Sequence, residues 1–142
     1  MENNKRLDAV DCINFLSEME YTDIECAHET HKVLAKGTYK GHDVIAVSLG
    51  SHPCCYIRIN EDEKCYGKDY NDIMIDCHGG LTFSDSIEKE HPFFTKGYWV
   101  GWDFAHLGDA FSTLFNGKHW TTYELIEELR EAVDSLIELQ ER

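Results

Sequence analysis

The sequence is short of proline, of basic residues and of long apolar runs. It contains two prolines, and its 13 lysines and arginines stand against 27 aspartates and glutamates, for a formal net charge of −14. No apolar run reaches the about 18 residues of a membrane-spanning helix, so we expect no contact with a membrane. Because contacts to phosphates need clustered lysine and arginine, the charge also argues against direct nucleic-acid binding. It is compatible with docking on a partner protein with a basic surface, and equally with a soluble protein whose acidic surface is only solvated.

Two further absences concern location and cysteine chemistry. The first residues, MENNKR, lead into acidic and polar residues without the apolar stretch of a signal peptide, so we expect a cytoplasmic protein. None of the six cysteines forms a C-x-x-C pair, which excludes a zinc ribbon and a thioredoxin-type motif. In a reducing compartment such cysteines are most often buried small apolar residues. Cys54 and Cys77 differ from the others because each stands within two positions of a histidine.

The apolar pattern predicts one domain that spans residues 1–142 and has a single core. Apolar residues recur every three positions from Leu7 to Met19, which predicts a short amphipathic helix in an N-terminal segment, 1–31. Residues 32–112 favour a sheet. They predict a hairpin at Gly41, with His42 solvated at its turn, and strands at Cys54–Asn60, Ile73–His78 and Tyr98–Phe104.

The clearest helix is predicted over residues 121–141. Thr121 and Glu124 form a capping-box pair. Apolar residues follow at helical spacing: Leu125, Ile126, Leu129, Val133, Leu136 and Ile137. The other face carries five acids, which predict a solvated helix surface or, as the alternative, a negative strip that binds a partner: Glu127, Glu128, Glu131, Asp134 and Glu138. We therefore predict an α+β fold, in which the N-terminal helix and this C-terminal amphipathic helix pack on an antiparallel sheet.

Two polar stretches interrupt the predicted strands. Residues 61–72 are acidic and turn-rich, and Tyr66 and Tyr70 within them suggest that this loop folds back over the body of the protein. Residues 85–97 have the composition of an exposed excursion, in which Phe93 and Phe94 are expected to cap the core.

Metal-binding side chains stand at the ends of the predicted strands. One strand ends in His78 before two glycines, and another releases Asp103, His106 and Asp109 at three-residue intervals. His52 precedes a proline, which favours an extended conformation for this histidine and places it at the start of a third strand. Glycines such as Gly101 beside these groups allow close approach of the backbone.

Three imidazoles and a carboxylate suit a tetrahedral zinc ion, so we predict the ligands to be His52, His78, Asp103 and His106. Cys54 competes for the fourth position, and Asp76 or Asp109 could hold the free ring nitrogen of a ligand histidine. The alternative is that each histidine is an ordinary hydrogen-bonded residue at a strand end. Four protein ligands would make a structural ion, whereas three ligands and a water would make a Lewis acid for hydrolysis.

Three blocks of this sequence resemble a family of small proteins common in phage and prophage genomes. They are YGKDY at 66–70, CHGGLTFS at 77–84 and GWDFAHLGD at 101–109, and the resemblance extends roughly over residues 37–112. It implies an accessory protein that acts in a bacterial cytoplasm. A small, strongly acidic phage protein is also similar to the anti-CRISPR inhibitors, some of which act on Cas9 by occupying its basic nucleic-acid channels.

The resemblance and the charge together lead to two hypotheses. The first is a zinc-stabilised binding protein that inhibits a host defence nuclease, with type II CRISPR Cas9 as the expected partner, by docking on its basic nucleic-acid-handling surface. The alternative is a metal-dependent hydrolase that acts on a nucleotide or phosphoester. Removal of the metal would unfold the first kind of protein, and it would abolish turnover by the second without unfolding it.

Overall fold

The computed structural model describes residues 19–22, 32–48, 52–104 and 120–141. These residues form six strands, a short 3₁₀ helix at Tyr70–Asp72 and one α-helix. The strands are β1 (Met19–Thr22), β2 (Lys32–Tyr39), β3 (His42–Ser48), β4 (Pro53–Ile59), β5 (Phe83–Ile87) and β6 (Gly97–Asp103), and the helix is α1 (Thr122–Gln140). The sheet has the order β1-β2-β3-β4-β6-β5, and every neighbouring pair is antiparallel. The predicted α+β fold in one domain with an antiparallel sheet is thus confirmed.

Side chains of the central strands alternate between the two faces of the sheet, as the sequence predicted for β4. Cys55, Ile57 and Ile59 belong to the core under α1. Cys54 belongs to a second cluster on the opposite face, which also contains the buried Trp99. Tyr56, Phe93 and Phe94 pack against that second cluster, so the expectation that the two phenylalanines cap the core is confirmed.

The C-terminal helix forms as its sequence predicts. The backbone N–H of Glu124 donates to Thr121 Oγ1 at 3.2 Å, and the backbone N–H of Thr121 donates to Glu124 Oε1 at 3.0 Å. This capping box satisfies two donors that a helix N-terminus otherwise leaves open. The apolar stripe is buried on the sheet through Leu125, Ile126, Leu129, Ala132, Val133 and Leu136.

The strand predicted at Ile73–His78 is wrong, because this stretch has no strand pairing. The alternation of burial nevertheless holds, with Ile73 and Ile75 buried and Met74 and Asp76 exposed. The stretch lies along α1 and bonds to helix side chains, so it has the pattern of a strand without a neighbouring strand. β5 extends to Ile87, so it includes residues 85–87, the first three of the predicted excursion.

The predicted N-terminal helix lies outside the described residues, apart from Met19, which begins β1. The sequence did not predict β1, because residues 20–31 show no clear period. No helix in the described part of the chain is long and apolar enough to cross a membrane.

Candidate functional site

The beginning of β4 and the end of β6 meet at one end of the sheet, where the predicted ligands were expected. Cys54 stands opposite Asp103 in the register, and the backbone N–H of Phe104 donates to the Pro53 carbonyl at 3.1 Å. The predicted close approach at Gly101 is found here, since a Cβ at this position would lie 2.2 Å from Tyr56 Cδ1. Glycine is therefore required in the middle of β6 if the Tyr56 ring is to lie across it.

His78 lies in an aromatic environment near the N-terminal end of α1. Its ring stacks on Phe104, with centroids 4.9 Å apart and planes 4° from parallel, and it meets the Trp120 ring edge-on at 4.9 Å. Its backbone N–H donates to Glu128 Oε1 at 3.2 Å. Since Phe104 belongs to the core under α1, His78 is on the helix side of the sheet.

Asp103 lies on the opposite side. Its carboxylate accepts a hydrogen bond from Thr82 Oγ1 at 3.4 Å, and its charge acts on the Cys54 thiol, which belongs to the second cluster. His78 and Asp103 therefore flank the end of β6 from opposite faces. Within residues 19–22, 32–48, 52–104 and 120–141, no group of three or more histidine, cysteine, aspartate or glutamate side chains is placed to hold a metal ion.

One of the four predicted ligands, His106, lies outside the described residues, and so does Asp109, since both are among residues 105–119. The predicted set of His52, His78, Asp103 and His106 therefore stays a prediction. Of its three described members, His52 and Asp103 belong to the ends of neighbouring strands, and His78 belongs to the other face.

The thiols near this strand end are protonated at neutral pH. Burial raises the pKa of Cys54 to about 11, a hydrogen bond from Tyr56 opposes this shift, and the Asp103 charge adds to it. Burial likewise raises the pKa of Cys77 to about 12, and the nearby Glu128 carboxylate adds to the shift. Because a thiolate is the metal-binding form, Cys54 could compete for zinc only if the ion itself displaced the proton.

Residues 60–80, most of the connection between β4 and β5, lie along α1 from Glu128 to Gln140; we call them the helix-side segment. Three of its backbone N–H groups donate to helix side chains: Cys65 to Gln140 at 3.0 Å, Asp76 to Ser135 at 2.9 Å and His78 to Glu128 at 3.2 Å. The segment therefore runs antiparallel to the helix. The prediction that the 61–72 loop folds back is confirmed, since Tyr98 donates its hydroxyl hydrogen bond to the Lys68 carbonyl and its ring lies 5.7 Å from that of Tyr66.

A buried polar network, which sequence reasoning missed, ties this segment to the hairpin. His42 was expected to be solvated, but it is 3% exposed and its Nε2 lies 2.7 Å from Glu63 Oε2. Its Nδ1 contacts the Lys40 carbonyl at 3.2 Å. The Glu63 carboxylate also accepts from Asn60 N at 2.7 Å and from Gln140 Nε2 at 2.9 Å. Both ring nitrogens of His42 therefore contact acceptor oxygens, one from a carboxylate and one from a backbone carbonyl.

The acids predicted on the helix surface divide into two groups. Glu128 accepts from His78, and Asp134 holds Lys40 Nζ at 2.8 Å and the Tyr39 hydroxyl at 3.0 Å. The others point away from the sheet: Glu131 and Glu138 are exposed and Glu127 is half-exposed. Asp72 and Asp76 of the helix-side segment are also exposed, and the Asp76 backbone bonds to Ser135 of the helix. We call these five residues the acidic face.

Comparison of the chain with protein-family models, with curated proteins and with solved structures found no match in any of the three.

Proposed function

We propose that this chain is an acidic binding protein of a phage or prophage, which acts in the bacterial cytoplasm and inhibits a host defence nuclease. The expected target is type II CRISPR Cas9, and the acidic face would dock on its basic nucleic-acid-handling surface. The observation that carries the proposal is the placement of carboxylates from two separate chain segments on one side of the molecule.

The acidic face has a fixed geometry, which favours binding over simple solvation. The Asp76 backbone bonds to Ser135, and Ser135 is flanked on the helix surface by Glu131 and Glu138, at four and three residues' distance. Carboxylates held on a braced backbone keep their spacing before binding, so little conformational entropy is lost when a basic partner docks.

Met74 adds an apolar contact within this surface. It is 78% exposed, because the alternation that buries Ile73 and Ile75 turns Met74 outward between Asp72 and Asp76. An unbranched, polarisable side chain of this kind adapts to an apolar depression on a partner. The proposed partner surface is therefore basic, with an apolar depression that receives Met74.

The docking proposal predicts a complex that is sensitive to salt. We expect the purified protein to bind Cas9 loaded with guide RNA at low ionic strength and to reduce target-DNA binding, and we expect the affinity to fall as salt is raised, since screening weakens contacts between exposed charges. The measurement is biolayer interferometry over a salt series. Absence of a complex at low salt would contradict the proposal.

Paired charge reversals identify the face that binds. The double change Glu131→Lys and Glu138→Lys should weaken the complex by about tenfold or more, because like charges would then meet across the interface. The matched control is Glu88→Lys with Glu90→Lys, two exposed acids between β5 and β6. Equal weakening by both pairs would show that only net charge matters and would reject the acidic face as the docking surface.

The predicted zinc ion is part of this proposal as a structural ion held by His52, His78, Asp103 and His106. We expect about one zinc per chain in untagged protein by elemental mass spectrometry, and a chelator should lower the melting temperature. His78→Phe is the sharpest variant, because it keeps a ring that can stack on Phe104 and removes the ligand nitrogen. It should lose zinc and become insensitive to chelator.

The same measurement separates the structural ion from a hydrolytic one. A metal-dependent hydrolase predicts phosphoesterase turnover that His78→Phe abolishes while the melting temperature stays unchanged. Protein that contains no zinc and melts identically with and without chelator would reject the metal in either role. That result would leave the docking proposal standing, because the acidic face uses none of the four predicted ligands.

A further inference from the structure

A cleft of about 210 Å³ lies at the other end of the sheet, where β4 and β5 end and β6 begins. This volume corresponds to roughly seven water molecules and is below the range of about 300–1,000 Å³ that is usual for drug-sized ligands. The cleft uses no residue of the acidic face and none of the predicted zinc ligands. Its size suits a ligand of a few heavy atoms.

Arg58 is held in position on one wall of this cleft. Its Nε donates to the Lys96 carbonyl at 2.8 Å. Gly97 lies behind it with a φ of +144°, and a Cβ there would lie 2.3 Å from Arg58 Nε, so glycine is required for this placement. Among the described residues, the structure gives the two terminal nitrogens of Arg58 no acceptor. The open edge of a fixed guanidinium matches a carboxylate, which it can bind through two parallel hydrogen bonds.

The charged side chains that line the cleft balance one another. Arg58 and Lys96 supply two positive charges, and Glu61 and Glu88 supply two negative charges. A ligand with net negative charge, such as phosphate, would meet both glutamates and the field of a chain of net charge −14. A zwitterion avoids this repulsion, because its cationic group can face the glutamates while its carboxylate binds Arg58.

We propose that this cleft binds a small α-amino acid in its zwitterionic form. The carboxylate pairs with the Arg58 guanidinium, and the ammonium group lies toward Glu61 and Glu88. Ile87 and the ring of Tyr66 line the same cleft and offer apolar surface to a short aliphatic side chain. The site is independent of the docking function proposed above.

The test is a titration of the ¹⁵N-labelled full chain with L-alanine, followed by NMR. We expect saturable shifts at the backbone amides of Ser86 and Gly97 and at the Arg58 Nε resonance. Acetate, ethylammonium and inorganic phosphate at the same ionic strength should each bind about tenfold more weakly or worse, since each satisfies only part of the charge pattern. The absence of a saturable shift with L-alanine would overturn the proposal, and so would equal or tighter binding of acetate or phosphate.

Two variants connect the binding to these side chains. Arg58→Lys keeps the charge and removes the two-pronged donor, so it should weaken L-alanine binding by about tenfold. Lys89→Ala, an exposed cation outside the cleft, is the matched control and should bind as the wild type does. Glu88→Gln leaves the cleft with a net positive charge, so it should weaken L-alanine and strengthen acetate. Unchanged L-alanine binding in Arg58→Lys, or parallel changes for both ligands in Glu88→Gln, would overturn the proposal.

Discussion

Glu63→Ala is expected to lower the free energy of unfolding by about 3 kcal/mol or more, because each buried donor left without an acceptor costs about 1–3 kcal/mol. The change leaves three donors without their acceptor: His42 Nε2, the Asn60 backbone N–H and Gln140 Nε2. His42 is 3% exposed, so water cannot readily replace the lost carboxylate. The measurement is urea unfolding followed by tryptophan fluorescence at pH 7.

A double-mutant cycle separates the pair from the rest of the network. His42→Leu removes the buried imidazole, and its combination with Glu63→Ala should cost less than the sum of the two single changes by about 1 kcal/mol or more. Asp62→Ala, next to Glu63 but exposed, should stay within about 0.5 kcal/mol of the wild type. Additive single changes would show that His42 and Glu63 do not interact in the folded protein.

Raising the pH from 8 to 10.5 is expected to destabilise the fold through its buried thiols. The Cys54 pKa rises from 9.0 to about 11 in the folded protein because burial disfavours the thiolate. Between these two values the unfolded chain loses the proton and the folded chain keeps it, so stability falls as the pH rises. At pH 10.5 this difference amounts to about 2 kcal/mol from Cys54 alone. Cys77, whose pKa is raised to about 12, acts in the same direction.

Urea unfolding under reducing conditions at several pH values measures this effect. Cys54→Ala should lose less stability than the wild type between pH 8 and 10.5, by about 2 kcal/mol. Cys65→Ala is the comparison variant, because the Lys68 charge opposes the rise in the pKa of its thiol, and it should change the slope less. A pH profile of Cys54→Ala parallel to that of the wild type would show that this thiol does not stay protonated in the fold.

The elements that local pattern determines were predicted well. The capping box at Thr121 marks where α1 begins, and the apolar stripe after it gives the face of the helix that packs on the sheet. The hairpin at Gly41 and the alternation along β4 likewise depend on neighbours in sequence. These features follow from the sequence because helix and strand periods, and the turn between two strands, are set by residues a few positions apart.

Alternation alone did not distinguish a strand from an extended segment on a helix. Residues 73–76 alternate between buried and exposed as a strand does, yet the N–H groups of Asp76 and His78 bond to side chains of α1. A period of two indicates which side chains are buried, and it does not indicate what lies beside the backbone. The same limit applies to the predicted zinc site. Its ligands were predicted from their positions at the ends of strands, and such positions do not indicate which side chains contact one another.

The sequence by itself determined the acidic charge, the capped C-terminal helix and the two-sided strands, because each depends on composition or on short-range spacing. Only the tertiary structure decided that the helix-side segment lies along α1, that His42 is buried against Glu63 and that Arg58 faces a charge-balanced cleft. The partners in these contacts are far apart along the chain: 21 residues separate His42 from Glu63, and 38 separate Arg58 from Lys96. No local pattern specifies such pairs, since their proximity is a consequence of how the whole sheet and helix pack.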